Sequence, residues 1–203
     1  MDIAIGAVVD RKATYWEYQF LPEYVFKATD KAKLNRGQED IRLVKETIDL
    51  FNNSPKEKKP NFFTSPLFMM GLFAFIILGI TYKDFKNNTR NRWLDVSIYS
   101  ITGIIGVLLL LLWFATDHST THNNYNLLWA FPLSLFFVLA ISKKNPKPWL
   151  KSYVVFQILM LGLIGIHWTT EVQVFTYGLI PLLIALLVRY LYLVFYFKNT
   201  LVR

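Results

Sequence analysis

The chain has 203 residues, of which 54% are hydrophobic and 17% are aromatic. A soluble domain of this size cannot bury so much apolar surface, so the composition excludes an ordinary soluble protein and predicts a membrane protein. The formal net charge is +8, but after residue 65 the basic residues lie mainly in loops between apolar runs, a distribution that membrane topology explains and that argues against nucleic acid as a partner. No cysteine is present, which excludes disulfides, thiolate metal sites and a thiol nucleophile within these residues.

The N-terminal part of the chain contains only short predicted elements. Residues 3–9 are apolar, but the stretch is too short for a membrane span and is interrupted by glycine. Residues 22–34 begin with a proline followed by apolar residues at helical spacing, which predicts a surface helix that rests on the membrane or packs on a preceding soluble domain. Residues 40–51 fit neither helical nor strand periodicity, and residues 52–61, "NNSPKEKKPN", are typical of a linker.

Five apolar runs of helical length follow residue 65. A helix needs about 20 apolar residues to cross a bilayer, so these runs predict five spans, of which the third and fourth are short. The predicted fold class is an all-α membrane protein, a five-helix transmembrane bundle at residues 61–203 preceded by a short segment at residues 1–60. The predicted spans cover about residues 66–82, 96–116, 127–142, 153–168 and 174–197.

The distribution of Lys and Arg orients the predicted helices. The loops after the first and third runs each carry four Lys or Arg, whereas residues 117–126 and 169–173 carry none. Short loops rich in Lys and Arg remain in the cytoplasm. We therefore expect a multi-pass protein of the bacterial inner membrane, with the loops at 117–126 and 169–173 in the periplasm and the C-terminus in the cytoplasm.

Residues 1–60 are expected in the periplasm as well. They carry eleven Lys or Arg, but long segments translocate largely regardless of their charge. Their first residues do not have the pattern of a signal peptide, because charges interrupt the apolar stretch. We therefore expect these residues to be the tail end of a larger periplasmic domain.

Polar residues concentrate in the two loops that this orientation places outside. On helices, His118 with His122 and His167 with Glu171 would each share one face. Imidazoles with a carboxylate can bind zinc, or act as base and orienting acid on a water or an acyl group. Polar turns at a membrane surface explain the same residues without chemistry. The candidate contact residues are Asp117, His118, His122, Asn124, Asn126, His167 and Glu171, with His118, His122 and His167 as weak metal candidates.

Few other residues indicate chemistry. The sequence has no phosphate-binding glycine loop and no serine elbow, and no cofactor is predicted. Arg189 is the one charge inside a predicted span, and we expect it to snorkel to the cytoplasmic interface. Gln157 is expected to face a neighbouring helix. Close helix approach is expected at Gly103, Gly106, Gly162 and Gly165.

Three stretches resemble the C-terminal part of a family of Bacteroidetes envelope proteins: "DIAIGAVVDRKATYWEYQFLPEYV" at 2–25, "LVKET" at 43–47 and "WFATDHSTTHNNYNLLWAFP" at 113–132. Members have a papain-like periplasmic domain followed by a membrane bundle, and they include the Bacteroides-type lipoprotein N-acyltransferase, Lnb. The resemblance implies acyl transfer to the N-terminal amine of a lipoprotein at the outer leaflet of the inner membrane. It also implies membrane lipids, lipoproteins and other envelope proteins as partners.

The family's thiol nucleophile and its partner histidine belong to the upstream domain, so the resemblance does not carry them over to this cysteine-free chain. The positions that do carry over are Asp117, His118, Asn124 and Asn126. The preferred hypothesis is the membrane part of an envelope acyltransferase that presents lipid or lipoprotein at the outer leaflet. Two alternatives are a membrane metalloenzyme with a His/Asp/Glu site and a non-enzymatic anchor or accessory subunit of a periplasmic complex.

Overall fold

The computed structural model describes residues 3–10, 12–18, 20–37, 39–48, 62–144 and 147–201. The described chain is mostly helical. It divides into two compact units, one comprising Met1–Asp10 and Pro60–Arg203 and the other Arg11–Lys59. The linker predicted at residues 52–61 lies outside the described residues.

The smaller unit contains two short helices and a hairpin. Helix α1 covers Tyr15–Tyr18, and α2 covers Pro22–Lys31, which confirms the helix predicted there. Pro22 lies in the first turn of α2, where its missing N–H costs no helical hydrogen bond. Strands β1 (Lys33–Arg36) and β2 (Glu39–Arg42) pair antiparallel. The stretch from residue 40, which the sequence leaves undecided, therefore begins as a strand.

The larger unit contains the membrane helices. Among the described residues, four helices are long and apolar enough to cross a membrane. A single 3-10 turn, Tyr177–Leu179, leads directly into the last of them. The four are α3 (Pro66–Asn87), α4 (Arg92–Phe114), α6 (Trp149–Thr169) and α7 (Ile180–Leu201).

Short polar side chains fix the boundaries of α3 and α4. The Ser65 hydroxyl accepts a hydrogen bond from Phe68 N and caps the start of α3. Helix α3 ends at Asn88, whose φ of 50° is left-handed, a conformation that asparagine tolerates at a helix C-terminus. Asn91 then caps α4 by accepting from Leu94 N. The two helices are therefore joined by a tight polar turn.

The third predicted span is not one long helix. Its first part is a 3-10 helix at Tyr125–Leu128, and α5 covers only Ser134–Ile141. Eight residues of α-helix extend about 12 Å, against a hydrocarbon core of about 30 Å. Pro132 separates the two pieces, and a proline has no N–H to continue a helical hydrogen-bond ladder.

This third stretch nevertheless runs the length of α4. Near one end of α4, the Thr121 hydroxyl donates to Leu112 O at 2.7 Å. At the other end, Arg92 Nη1 donates to Ser142 O at 3.3 Å. The chain between them covers the distance with a broken helix, so the count of five spanning helices stays a prediction.

The helices pack in two groups. Helix α7 packs along α3 and α6, whereas α4 packs on α5. The two groups meet around a buried apolar core that includes Leu109, Ile141, Val154, Leu186 and Leu193. Gln157 is buried and donates to Ser134 of α5, which confirms that it faces a neighbouring helix.

The close approach predicted at glycines is confirmed on α4 and wrong on α6. A Cβ atom at Gly106 would lie 2.1 Å from Ala130 O, and one at Gly103 would lie 2.8 Å from Leu135 N. These two glycines let the broken third stretch lie directly on α4. A Cβ at Gly162 or Gly165 would meet no described atom within 4 Å.

The bundle has a histidine end and a basic end. The histidine end comprises residues 3–10, 115–133 and 170–179, and all three histidines lie in or beside it. The basic end comprises residues 88–92 and 141–144. Helix α3 begins at the histidine end, where a Cβ at Gly178 would lie 2.9 Å from Pro66. Residues 3–10 thus belong to the membrane unit although they precede the boundary predicted near residue 60.

Candidate functional site

The sequence-predicted candidates all lie at the histidine end, but they differ in burial. The structure buries the two asparagines, exposes the acidic residues and leaves the imidazoles half-buried or exposed. The buried residues are Asn124 and Asn126, the half-buried ones are His122 and His167, and the exposed ones are Asp117, His118 and Glu171.

The predicted helical pairing of His118 with His122 is wrong. The residues between them form a 3-10 turn, Ser119–Thr121, and both histidines have extended backbone conformations. The Thr121 hydroxyl explains this turn, because it donates to His118 O at 2.8 Å and to a carbonyl at the end of α4. The two imidazoles therefore do not share a helix face.

The predicted pairing of His167 with Glu171 is wrong for a similar reason. Helix α6 ends at Thr169, and Glu171 has a left-handed φ of 56°, so the chain has already turned. His167 Nδ1 lies 2.8 Å from Leu163 O, and its ring packs on Tyr125 with centroids 4.5 Å apart. No group of three or more His, Asp or Glu able to hold a metal occurs among the described residues.

The buried asparagines bind the N-terminal segment instead. Asn124 Nδ2 donates to Ile3 O at 2.8 Å, and Asn126 Nδ2 donates to the same oxygen at 3.3 Å. Gln173, from the other loop, donates through Nε2 to Ile5 O at 3.3 Å. We call Asn124, Asn126 and Gln173 the amide clamp. Gln173 was not among the candidates, because one glutamine in a polar loop carries no signal of its own.

Further hydrogen bonds orient the amide clamp. Asn124 Oδ1 accepts from the backbone N and from Nδ2 of Asn126, both at 3.0 Å. Asn126 Oδ1 accepts from Trp129 Nε1 at 2.9 Å. Gln173 Oε1 accepts from Tyr125 N at 2.7 Å, which joins the two loops. Each amide oxygen is thus occupied, and the NH₂ groups are left to hold the segment.

The clamped segment also pairs through its backbone. Gly6 N donates to Thr120 O at 2.9 Å, and Ala7 N donates to Asn123 O at 3.1 Å. A Cβ at position 6 would lie 1.8 Å from His122 O, so only glycine fits there. These two main-chain hydrogen bonds act together with the three clamp donors to fix where the segment lies on the bundle.

An apolar groove opens beside this segment, between α3 and α4. Its part nearest the histidine end has a volume of about 450 Å³ and is lined by Ile3, Ala4, Met70, Leu108 and Leu112, among others. A second part of about 540 Å³ shares Ile3 and Met70 and extends toward the basic end. The two parts form one apolar path along the bundle surface.

The basic end contains a feature that sequence reasoning missed. Arg189 does not snorkel, since its relative exposure is 0%. Its Nη1 donates to Asp84 Oδ2 and its Nε to Asp95 Oδ1, each at 2.8 Å. Asp95 Oδ2 also accepts from Arg90 Nε at 2.7 Å. These four side chains form the ion cluster, in which two positive and two negative charges balance.

The ion cluster also reaches α5. Arg90 Nη1 donates to Lys143 O at 3.3 Å, and Arg90 Nη2 donates to Ile141 O. Cationic side chains at a helix C-terminus satisfy carbonyls that lack helical partners. A signal did exist in the sequence, because an arginine within a span needs a partner and Asp84 and Asp95 lie at the ends of two neighbouring spans.

Comparison with known proteins identifies a family. A family model described as the Lnb transmembrane domain matches residues 57–200. Neither a curated protein nor a solved structure matches the chain. The matched region contains the ion cluster, the amide clamp and the four long helices except for the last residue of α7, whereas the segment held by the clamp precedes it.

Proposed function

Because the chain belongs to the family of the Lnb transmembrane domain, we propose that it is the membrane part of an envelope acyltransferase of the lipoprotein N-acyltransferase type. It is a multi-pass membrane protein. In this proposal the histidine end faces the periplasm of a bacterial inner membrane and the basic end faces the cytoplasm. The distribution of Lys and Arg between the loops supports that orientation.

The groove between α3 and α4 is the observation that carries the proposal. It is apolar along its length and ends at the histidine end beside Ile3 and Ala4. A lipid acyl chain in this groove would have its headgroup at the polar loops, where Asp117 and His118 are exposed. We assign these two residues to headgroup contact, and His122, His167 and Glu171 are the next candidates for the same role.

The amide clamp has a different role in this proposal. Asn124 and Asn126 are buried and occupied by Ile3 O, so they position the segment at the groove mouth and do not touch the lipid. The resemblance implies that residues 1–60 are the tail end of a periplasmic domain. The clamp would then hold residues 3–10 of that tail beside the groove mouth.

A matched pair of substitutions on α4 tests the groove. Leu108 and Leu111 are 54% and 52% exposed, but only Leu108 is among the groove-lining residues. Leu108→Trp should fill the groove and raise the fraction of lipoproteins with a free N-terminal amine, measured by mass spectrometry in cells that rely on the variant. Leu111→Trp should leave that fraction unchanged. Equal effects of the two variants would contradict the proposal.

The non-enzymatic anchor makes the opposite prediction for the loops. If the chain only anchors a complex, alanine at Asp117 and His118 leaves lipoprotein acylation intact, whereas headgroup contact predicts a loss. No observation among the described residues favours the metalloenzyme alternative.

A further inference from the structure

Three polar atoms inside the bundle lack a hydrogen-bond partner among the described residues. They are the hydroxyls of Tyr99 and Tyr190 and the Oε1 of Gln157. The first two residues are 1% exposed and Gln157 is 2% exposed. An unpaired hydroxyl or amide oxygen is costly in an apolar interior. Three of them on neighbouring helices therefore require an explanation.

The three atoms belong to one cluster where α4, α5, α6 and α7 meet. The ring of Tyr99 packs against Tyr190 and Tyr153, with centroids 6.1 and 5.9 Å apart. The hydroxyl of Tyr153 lies 3.0 Å from Ser134 Oγ, which accepts from Gln157 Nε2 at 3.0 Å. We call these five side chains the polar core.

The polar core continues the ion cluster toward the middle of the bundle. Tyr99 follows Asp95 by one turn of α4, and Tyr190 is the residue after Arg189 on α7. The polar core therefore lies next to the ion cluster along α4 and α7.

We propose that the polar core is a binding site for ordered water, which bridges the Tyr99 and Tyr190 hydroxyls and Gln157 Oε1. An amide oxygen only accepts, whereas a tyrosine hydroxyl donates and accepts, so one water can donate to Gln157 and accept from a tyrosine. The five side chains are uncharged, and the charges of Asp84 and Asp95 are already balanced by arginines. The site therefore favours a neutral molecule over a cation.

A double-mutant cycle on the full chain in detergent tests the proposal. If water bridges the hydroxyls, Tyr99→Phe and Tyr190→Phe each remove one of its partners and should each lower Tm by about 2–4 °C. The double variant should lose less than the sum, because both changes affect the same water. Tyr82→Phe, on a side chain 68% exposed, should leave Tm unchanged.

Two results would overturn the inference. If the hydroxyls are truly unpaired, each Phe variant removes a buried polar atom, so Tm rises and the two effects add. If Tm depends on Na⁺ or K⁺ against choline at equal ionic strength, and the Phe variants abolish that dependence, the site holds a cation.

Should a variant fail to fold, the wild-type chain gives the answer directly. Density for water between these oxygens, at a resolution that reveals other buried waters, supports the site. Its absence under those conditions rejects the site.

Discussion

The histidine end and the basic end of the bundle are held together by different chemistry. At the histidine end, neutral amides and main-chain groups hold the N-terminal segment. At the basic end, two arginines and two aspartates are buried against each other. A neutral hydrogen bond contributes about 0.5–1.5 kcal/mol, whereas removing one partner of a buried ion pair costs about 3–5 kcal/mol. We therefore expect the basic end to be the more rigid of the two, and the N-terminal segment to detach from the histidine end more readily.

The residues that stand out in the sequence are not the ones that are buried and paired in the structure. The histidines attract attention in the sequence, yet His118 is exposed and His122 and His167 are only half-buried. Asp84 and Asp95 resemble ordinary acidic residues at helix ends, yet both are buried with Arg189. A charge in a membrane helix is thus better judged by its partners than by its distance from the rim.

The largest effect is expected at the basic end. Arg189→Leu leaves Asp84 and Asp95 without their shared partner, and we expect a loss of about 3–5 kcal/mol in stability. Thermal unfolding in detergent measures it, with Lys86→Ala on an exposed side chain as the control. Arg189→Lys keeps the charge but not the planar fork, so its loss should be intermediate. If Arg189→Leu lowers the stability no more than Lys86→Ala does, the ion cluster does not stabilise the basic end.

A smaller effect is expected for Gly6→Ala at the histidine end. The new Cβ would lie 1.8 Å from His122 O. Residues 3–10 must therefore detach from the loop that contains His122, while the helices stay folded. Amide hydrogen exchange at Ala7 should then accelerate about tenfold or more, since about 1.4 kcal/mol of lost docking energy is a factor of ten. Gly162→Ala is the matched control, because its Cβ meets no described atom within 4 Å. Unchanged exchange in Gly6→Ala would show that the segment is not docked as described.

A loss of similar size is expected for the amide clamp itself. Asn124→Ala removes the shorter hydrogen bond to Ile3 O and the acceptor of Asn126. We expect a loss of about 1–3 kcal/mol, because Asn126 is left partly unpaired in a buried place. The exposed Asn87 gives the control Asn87→Ala. Equal melting temperatures for the two variants would mean that the clamp contributes nothing to stability.

The smallest effect on stability is expected for His118→Ala. The side chain is exposed, and surface substitutions of this kind usually stay within about 0.5 kcal/mol. Lipoprotein acylation should nevertheless fall if His118 contacts the headgroup. A large fall in Tm would assign the residue a structural role instead.

Hydropathy located the four long helices because a bilayer imposes a minimum apolar length on each span. The detailed structure of the two polar loops was not predictable, because the clamp joins Asn124 to a residue 121 positions earlier in the chain. Composition also gives no sign that Thr121 closes a 3-10 turn between His118 and His122.

The error at Arg189 has a different cause. Sequence spacing gives the depth of a residue along a helix but not the direction in which its side chain points once helices pack. From depth alone, the Arg189 side chain was expected to reach the water interface. Packing with α3 and α4 instead supplied Asp84 and Asp95 within hydrogen-bond distance.

Asp10 and Pro66, which flank residues 11–59 in the sequence, both belong to the membrane unit and contact neighbouring residues of the 170–179 loop. Asp10 accepts a hydrogen bond from Val174 N at 2.8 Å, and Gly178, four positions later, packs on Pro66. Lengthening a loop whose ends are fixed costs only about 0.6 kcal/mol per doubling. Because both flanking points are fixed within the membrane unit, we expect that a change in the length of the chain between them leaves the helices folded.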